Sequence, residues 1–140
     1  MEEITFDNGI REFRINGGIL RFNPADPNVY LRFSQAEEKV RKIEQDLLEQ
    51  AKNGREDAAL LYQADRQLKE LLNWVFGPGN DFEAISGNVN LLAVAKNGRQ
   101  VITNLFSALE PVLLQGLECS IRQQVDAAKC KASARREAEK

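Results

Sequence analysis

Residues 13–37, FRINGGILRFNPADPNVYLRFSQAE, hold the change of period on which the fold turns. Phe13 and Ile15 alternate with Arg14, the period-two mark of a half-buried strand. Asn16-Gly17 brings together two residues that accept positive φ, as a type I′ hairpin turn requires. Ile19 to Phe22 is then the return strand, with Leu20 and Phe22 on one face. Asn23-Pro24-Ala25-Asp26-Pro27 reads as a turn, because proline lacks a backbone donor and pushes its predecessor out of helical space. Val29, Leu31 and Phe33 alternate with Tyr30 and Arg32, which predicts one further short strand. Ser34-Gln35-Ala36-Glu37 is a capping box, serine at the N-cap and glutamate three residues on, and it opens a helix.

Outward from this stretch the chain divides in two. Upstream, Ile4 to Phe6 suit a strand start, with Asp7-Asn8-Gly9 as its turn. Downstream, Ala36, Val40, Ile43, Leu47 and Ala51 form an amphipathic stripe that Asn53-Gly54 ends. A second helix is expected from about Arg55 to Phe76, with Leu61, Ala64, Leu68, Leu71, Leu72 and Val75 inward and Gly77-Pro78-Gly79 as its stop. Asp81 caps a short turn through Ile85, and Asn90 caps a second short helix, Leu91 to Lys96. The pentapeptide Ala-Lys-Asn-Gly-Arg occurs at 51–55 and at 95–99, which reads as one helix-ending solution used twice, with internal duplication as the alternative. A long helix follows from Arg99, interrupted by Pro111, where a kink is expected. The expectation is an α+β, mostly α protein of one domain. Residues 1–33 form a small antiparallel sheet (hairpin plus short strand), and 34–128 a three- to four-helix bundle with a long C-terminal helix. Residues 129–140 form a basic, frayed tail.

The charge balance of −2 argues against a general nucleic-acid binder. It hides an asymmetry: residues 122–140 carry six basic and three acidic side chains, so +3 faces −5 on the rest. With no apolar run near 18 residues and a charged Met1-Glu2-Glu3 start, neither a membrane span nor a signal peptide is expected. Cys119 and Cys130, on one helix, lie roughly 16 Å apart, beyond the reach of a disulfide. They read as free thiols in the cytoplasm.

The chain has no histidine, which removes the commonest general base and metal ligand near neutral pH. Two cysteines eleven apart fit no compact zinc spacing, and the glycine pairs lack the phosphate-loop pattern. The carboxylate pairs Glu37-Glu38, Glu56-Asp57 and Asp81 with Glu83 sit at expected helix starts, where the helix dipole favours negative charge. No catalytic, cofactor or metal site is therefore expected, and the chain reads as a non-enzyme. What remains is surface. The last helix is apolar around more than one side, and Leu109, Val112, Leu113, Leu117 and Ile121 are its candidate protein-interaction residues. On that reading Leu113→Asp with Leu117→Asp should disrupt self-association.

Three motifs occur in a fixed order: Leu20-Arg21-Phe22-Asn23-Pro24-Ala25-Asp26-Pro27, then Trp74-Val75-Phe76-Gly77-Pro78-Gly79, then Leu105-Phe106-Ser107-Ala108-Leu109-Glu110-Pro111. This order, over most of residues 4–115, resembles the tail assembly chaperones and related small tail-region proteins of long-tailed phages and prophages of Gram-positive bacteria. The resemblance implies a protein of the host cytoplasm that self-associates, coats the tape measure protein and assists polymerisation of the tail-tube protein. It implies no catalytic residues. Two other readings are a structural tail or connector component, and a small nucleic-acid-binding or regulatory module using the basic C-terminal helix.

Overall fold

A computed structural model describes residues 1–54 and 57–138. Two strands, β1 (Arg11–Ile15) and β2 (Gly18–Phe22), pair antiparallel with Phe13 opposite Leu20. Asn16 and Gly17 both take positive φ, 47° and 89°, so the turn is the one their side chains allow. Leu20 and Phe22 are buried on the inner face. The Ile4–Phe6 strand does not form: residues 1–10 stay irregular, and Asp7 Oδ1 accepts the Gly9 N–H to close a local turn.

The further strand at Val29–Phe33 is overturned. Helix α1 runs from Pro27 to Lys52, with the Asp26 side chain accepting the Asn28 N–H and proline in its first turn. Asp-Pro is an N-cap followed by a residue preset for helix, and it starts the helix before Ser34 is reached. Val29, Phe33, Ala36 and Val40 then lie on one buried face, while Leu31, the middle of the apparent alternation, is exposed. The capping box at Ser34 is therefore mid-helix sequence, and the hairpin region ends some seven residues early.

Helix α2 (Ala58–Phe76) is capped by Asp57 and packs along α1 through Ala64, Leu68, Leu72 and Val75. Its expected start at Arg55 lies outside the described residues, and Leu61, expected inward, is exposed. Arg32 Nε donates to the Val75 carbonyl, 2.9 Å away, which fixes the beginning of α1 beside the end of α2. Gly77 closes α2 at φ 90°. A short helix, α3 (Phe82–Ile85), follows its Asp81 cap as the sequence suggests.

The second short helix, Leu91–Lys96, is absent. Residues 91–100 form turns closed by a bridge between Val94 and Gln100, so the second Ala-Lys-Asn-Gly-Arg copy makes a tight turn and not a helix end. Leu91 and Leu92 are core residues, however. The loop also seats the last helix, α4 (Val101–Ala138): the Ile102 and Val101 N–H groups donate to the Leu91 and Ala93 carbonyls. That satisfies two donors a helix start would otherwise leave unpaired. Helix α4 continues through Pro111 and, among the described residues, through the basic segment to Ala138.

The core is a chain of rings and aliphatic side chains. Phe13 stacks on Phe22, Phe22 meets Phe76 edge-on at 4.9 Å, and Phe76 touches Phe82. Phe33 meets Phe106 edge-on, joining α1 to α4. Edge-on pairs of this kind add about 0.5–1.5 kcal/mol each beyond area burial.

Candidate protein-interaction surface

Among the described residues three polar side chains are buried, Asp65, Lys69 and Asn80, and each is fully employed in holding the fold. Asn80 pairs with Arg21 of β2 as a neighbouring strand would, its carbonyl accepting the Arg21 N–H and its amide donating to the Arg21 carbonyl, both at 2.8 Å. The same amide donates to the Phe76 and Gly77 carbonyls at the end of α2. Lys69 binds Asp65 at 2.9 Å and Glu83 at 2.7 Å. Burial alone pulls the Lys69 ammonium down, but the hydrogen bonds to Glu83 and Asp65 outweigh it and leave its pKa raised. Asp65 Oδ1 also accepts the Leu91 N–H at 2.7 Å, so this ion pair anchors the loop that seats α4. None of these groups was visible as special in the sequence. For Asp65 and Lys69 the only signal was charge at positions where the helical stripe wanted apolar side chains; Asn80, in the loop after α2, gave none.

The five interaction residues read from the sequence divide between two places. Leu109 and Leu113 are 4% and 1% exposed and belong to the chain's own core, and Val112 packs against it. The spacing that singled them out is that of a core-facing stripe. Leu117 is half-buried, and only Ile121, at 55%, stands out in solvent. Leu113→Asp is accordingly a folding mutation, not a test of association.

The exposed surface lies further round the same helix. At about 100° per residue, Ile102, Leu105, Leu109, Leu113 and Gly116 face the body. A second row of Leu114, Leu117, Ile121, Val125, Ala128 and Ala132 lies roughly a third of a turn away. Leu114 is 38% and Val125 46% exposed, and every residue from 121 to 138 is exposed. The body-facing row ends at Gly116, where an added Cβ would overlap the Pro24 carbonyl. Beyond it that side becomes polar or small, with Ser120, Gln123 and Ala127. The departure of α4 from the body is thus written in the residues: one stripe stops and another, facing elsewhere, continues.

Charge follows the outer row. Glu110 and Glu118 are exposed near its beginning, and Lys129, Lys131, Arg135 and Arg136 near its end. Glu37 of α1 lies close to Glu110, and burial, then the Glu110 charge, raises its pKa above the ordinary carboxylate value. Two open clefts adjoin these elements. One, of about 730 Å³, lies between Arg11, Phe13, Pro24 and the Val112–Arg122 part of α4. The other, of about 780 Å³, is lined by Leu47, Leu48, Ala51, Ala58 and Leu61 where α1 gives way to α2.

Among the described residues, no three His, Cys, Asp or Glu side chains gather as a metal site, and no helix is long and apolar enough to cross a membrane. Cys119 and Cys130 are free and exposed. No family model, no curated protein and no solved structure matches this chain.

Proposed function

We propose that this chain is a non-enzymatic protein-binding protein that works through the outer row of α4. Its setting, on this reading, is phage tail assembly, as a chaperone that binds the tape measure protein and assists tail-tube assembly. One observation carries the first part: residues 121–138 form a helix in which every residue is exposed and that still bears an apolar row. In proteins the tertiary packing of an apolar face supplies most helical stability. A helical partner laid along the row therefore stabilises this segment while it binds. The order of the three motifs, from the Phe22-Asn23-Pro24 turn to Leu105–Pro111, supports the second part.

The basic side chains favour a protein partner over nucleic acid. At about 100° per residue, Lys129 and Arg136 fall on one side of the outer row and Lys131 and Arg135 on the other. They flank an apolar seam and do not form one cationic face. This reading expects a very long tape-measure gene downstream, and the test is binding of the purified chain to the product of such a gene. Ile121→Asp with Val125→Asp should weaken binding at least tenfold, with little dependence on salt. Steeply salt-dependent binding to nucleic acid that these substitutions leave intact would overturn the reading.

A further inference from the structure

The outer row of α4 has a repeat of its own. Leu114, Leu117, Ile121, Val125, Ala128 and Ala132 follow at spacings of three, four, four, three and four. Leu114 recurs eleven residues on as Val125, Leu117 as Ala128, and Ile121 as Ala132. Eleven residues over three turns is about 3.67 per turn, near the 3.6 of a free helix, so the row stays on one side of a nearly straight rod. Two gradients run along it. Side chains shrink from leucine and isoleucine to alanine, and charge passes from Glu110 and Glu118 to Lys129, Arg135 and Arg136.

We propose that α4 pairs antiparallel with α4 of a second copy, about a two-fold axis that crosses between Ile121 and Val125. In that register Ile121 faces Val125 of the other copy, Leu114 faces Ala132, and Leu117 lies over Ala128. Bulky side chains meet small ones at both ends. Glu110, with Glu37 beside it, comes opposite Arg136, and Glu118 lies beside Lys129. Two-fold symmetry makes each contact twice. Parallel pairing instead sets Lys129 and Arg136 of each copy against Lys131 and Arg135 of the other, and alanine against alanine. Flanking charges of this kind set the orientation of paired helices, and here they select the antiparallel one. The inference rests on the outer row being a binding surface, and it names what covers that row when no client does.

Sedimentation of the full chain over a range of concentrations should show a monomer–dimer equilibrium. Orientation is read by cross-linking with a short bismaleimide in a Cys119→Ser, Cys130→Ser background. The Leu114→Cys, Ala132→Cys double variant should be joined into dimers. Either substitution alone should not, since the two copies of residue 114 lie roughly 27 Å apart along an antiparallel pair. Joining by a single variant would overturn the orientation, and a strict monomer at every concentration would overturn the pairing. Glu110→Arg should weaken dimerisation roughly three- to tenfold, two surface ion pairs being lost by symmetry. Adding Arg136→Glu should restore it, and no effect of either change would overturn the register. Ile121→Asp should abolish the dimer while the thermal midpoint of the monomer is kept; a dimer that survives it would again overturn the pairing. A monomer that still binds its client through the row would sink this inference and leave the proposed function standing. A dimer whose row variants leave client binding untouched would do the reverse.

Discussion

Helix α4 is two helices in one rod. Its first half, Val101 to Gly116, is seated on the Leu91–Ala93 loop and buries Ile102, Leu109 and Leu113 in the common core. Its second half carries leucine, isoleucine and valine as well, yet every residue from Ile121 to Ala138 is exposed. Apolar content does not separate the halves. What separates them is the direction of the stripe and the neighbour it meets. The first row has α1, the Pro24 turn and the Leu91–Ala93 loop across from it, whereas the second faces elsewhere. A row of apolar side chains is thus evidence for a packing partner, and only geometry tells whether that partner is the chain itself.

The largest effect expected comes from placing a charge in the first half. Leu113→Asp removes a fully buried leucine, a loss that alone costs about 2–5 kcal/mol for truncation to alanine. The carboxylate adds the desolvation penalty of a charge buried in that core. The total reaches most of the roughly 5–15 kcal/mol that holds a domain of this kind together. Chemical denaturation should find the variant unfolded or nearly so in dilute buffer. Gly116→Val acts at the boundary, since a side chain there meets the Pro24 backbone and must push α4 off the turn. If either variant kept the wild-type denaturation midpoint, the distinction between the halves would collapse.

The sequence carried much of this, unevenly. The hairpin was legible because Asn16-Gly17 makes a local demand on φ that few other structures meet, and both residues take positive φ. The long last helix and the Asp81 cap were legible for the same reason: each is decided within one or two turns of chain. The start of α1 was misread because Val29 and Phe33, four apart, suit strand and helix periods alike, and exposed Leu31 between them completed an apparent alternation. Asp26-Pro27 decides between them, and Val29 to Val40 fits only the helix. The short helix at Leu91–Lys96 failed for a different cause. Its leucines are buried, but their backbone is spent on long-range contacts, Leu91 N–H to Asp65 and Leu91 carbonyl to Ile102. No local pattern records a partner 26 residues away. The candidate interaction surface was half legible for the same reason. The stripe through Leu109 and Leu113 was visible, but which of two stripes on one helix meets the body depends on where the rest of the chain lies.

The seat of the first half can be loosened without touching α4. Lys69→Met leaves Asp65 buried without its cation, and breaking one partner of a buried pair typically costs about 3–5 kcal/mol. Because Asp65 holds the Leu91 N–H, the loss should propagate to the loop and to the first turn of α4, while residues 121–138 should not register it. The same ion pair gives a pH signature. The Lys69 pKa is raised in the folded state above its ordinary 10.5. Its stabilisation is therefore complete below that value and is lost as pH rises through the higher folded value. Denaturation followed from neutral pH to above about pH 11 should show this alkaline loss in the wild type. The Lys69→Met variant should lack that component. An unchanged alkaline profile would mean that Lys69 is not held as its distances suggest.

Hydrogen exchange sharpens the comparison within one molecule. Opening free energies span from near zero in unsupported segments to the global value in core helices. Amides of Ile102 to Leu113 should exchange only on global unfolding. Those of residues 121–138 should exchange orders of magnitude faster in the monomer, and slow down at concentrations where α4 is covered. Equal protection along α4 at high dilution would show that the second half does not depend on a partner.

The smallest effect is the most discriminating. Ile121→Asp places a charge on an isoleucine already 55% exposed, in a segment that contributes no residue to the core. Surface changes away from buried features usually stay within about 0.5 kcal/mol, so the denaturation midpoint of the dilute chain should hardly move. Any larger loss of monomer stability would mean that the outer row packs on the body after all. The value of the substitution lies in its contrast with Leu113→Asp two turns earlier on the same helix. One change removes the fold and with it every activity. The other leaves the fold intact and removes only what the exposed row binds, so whatever function it abolishes can be assigned to that row.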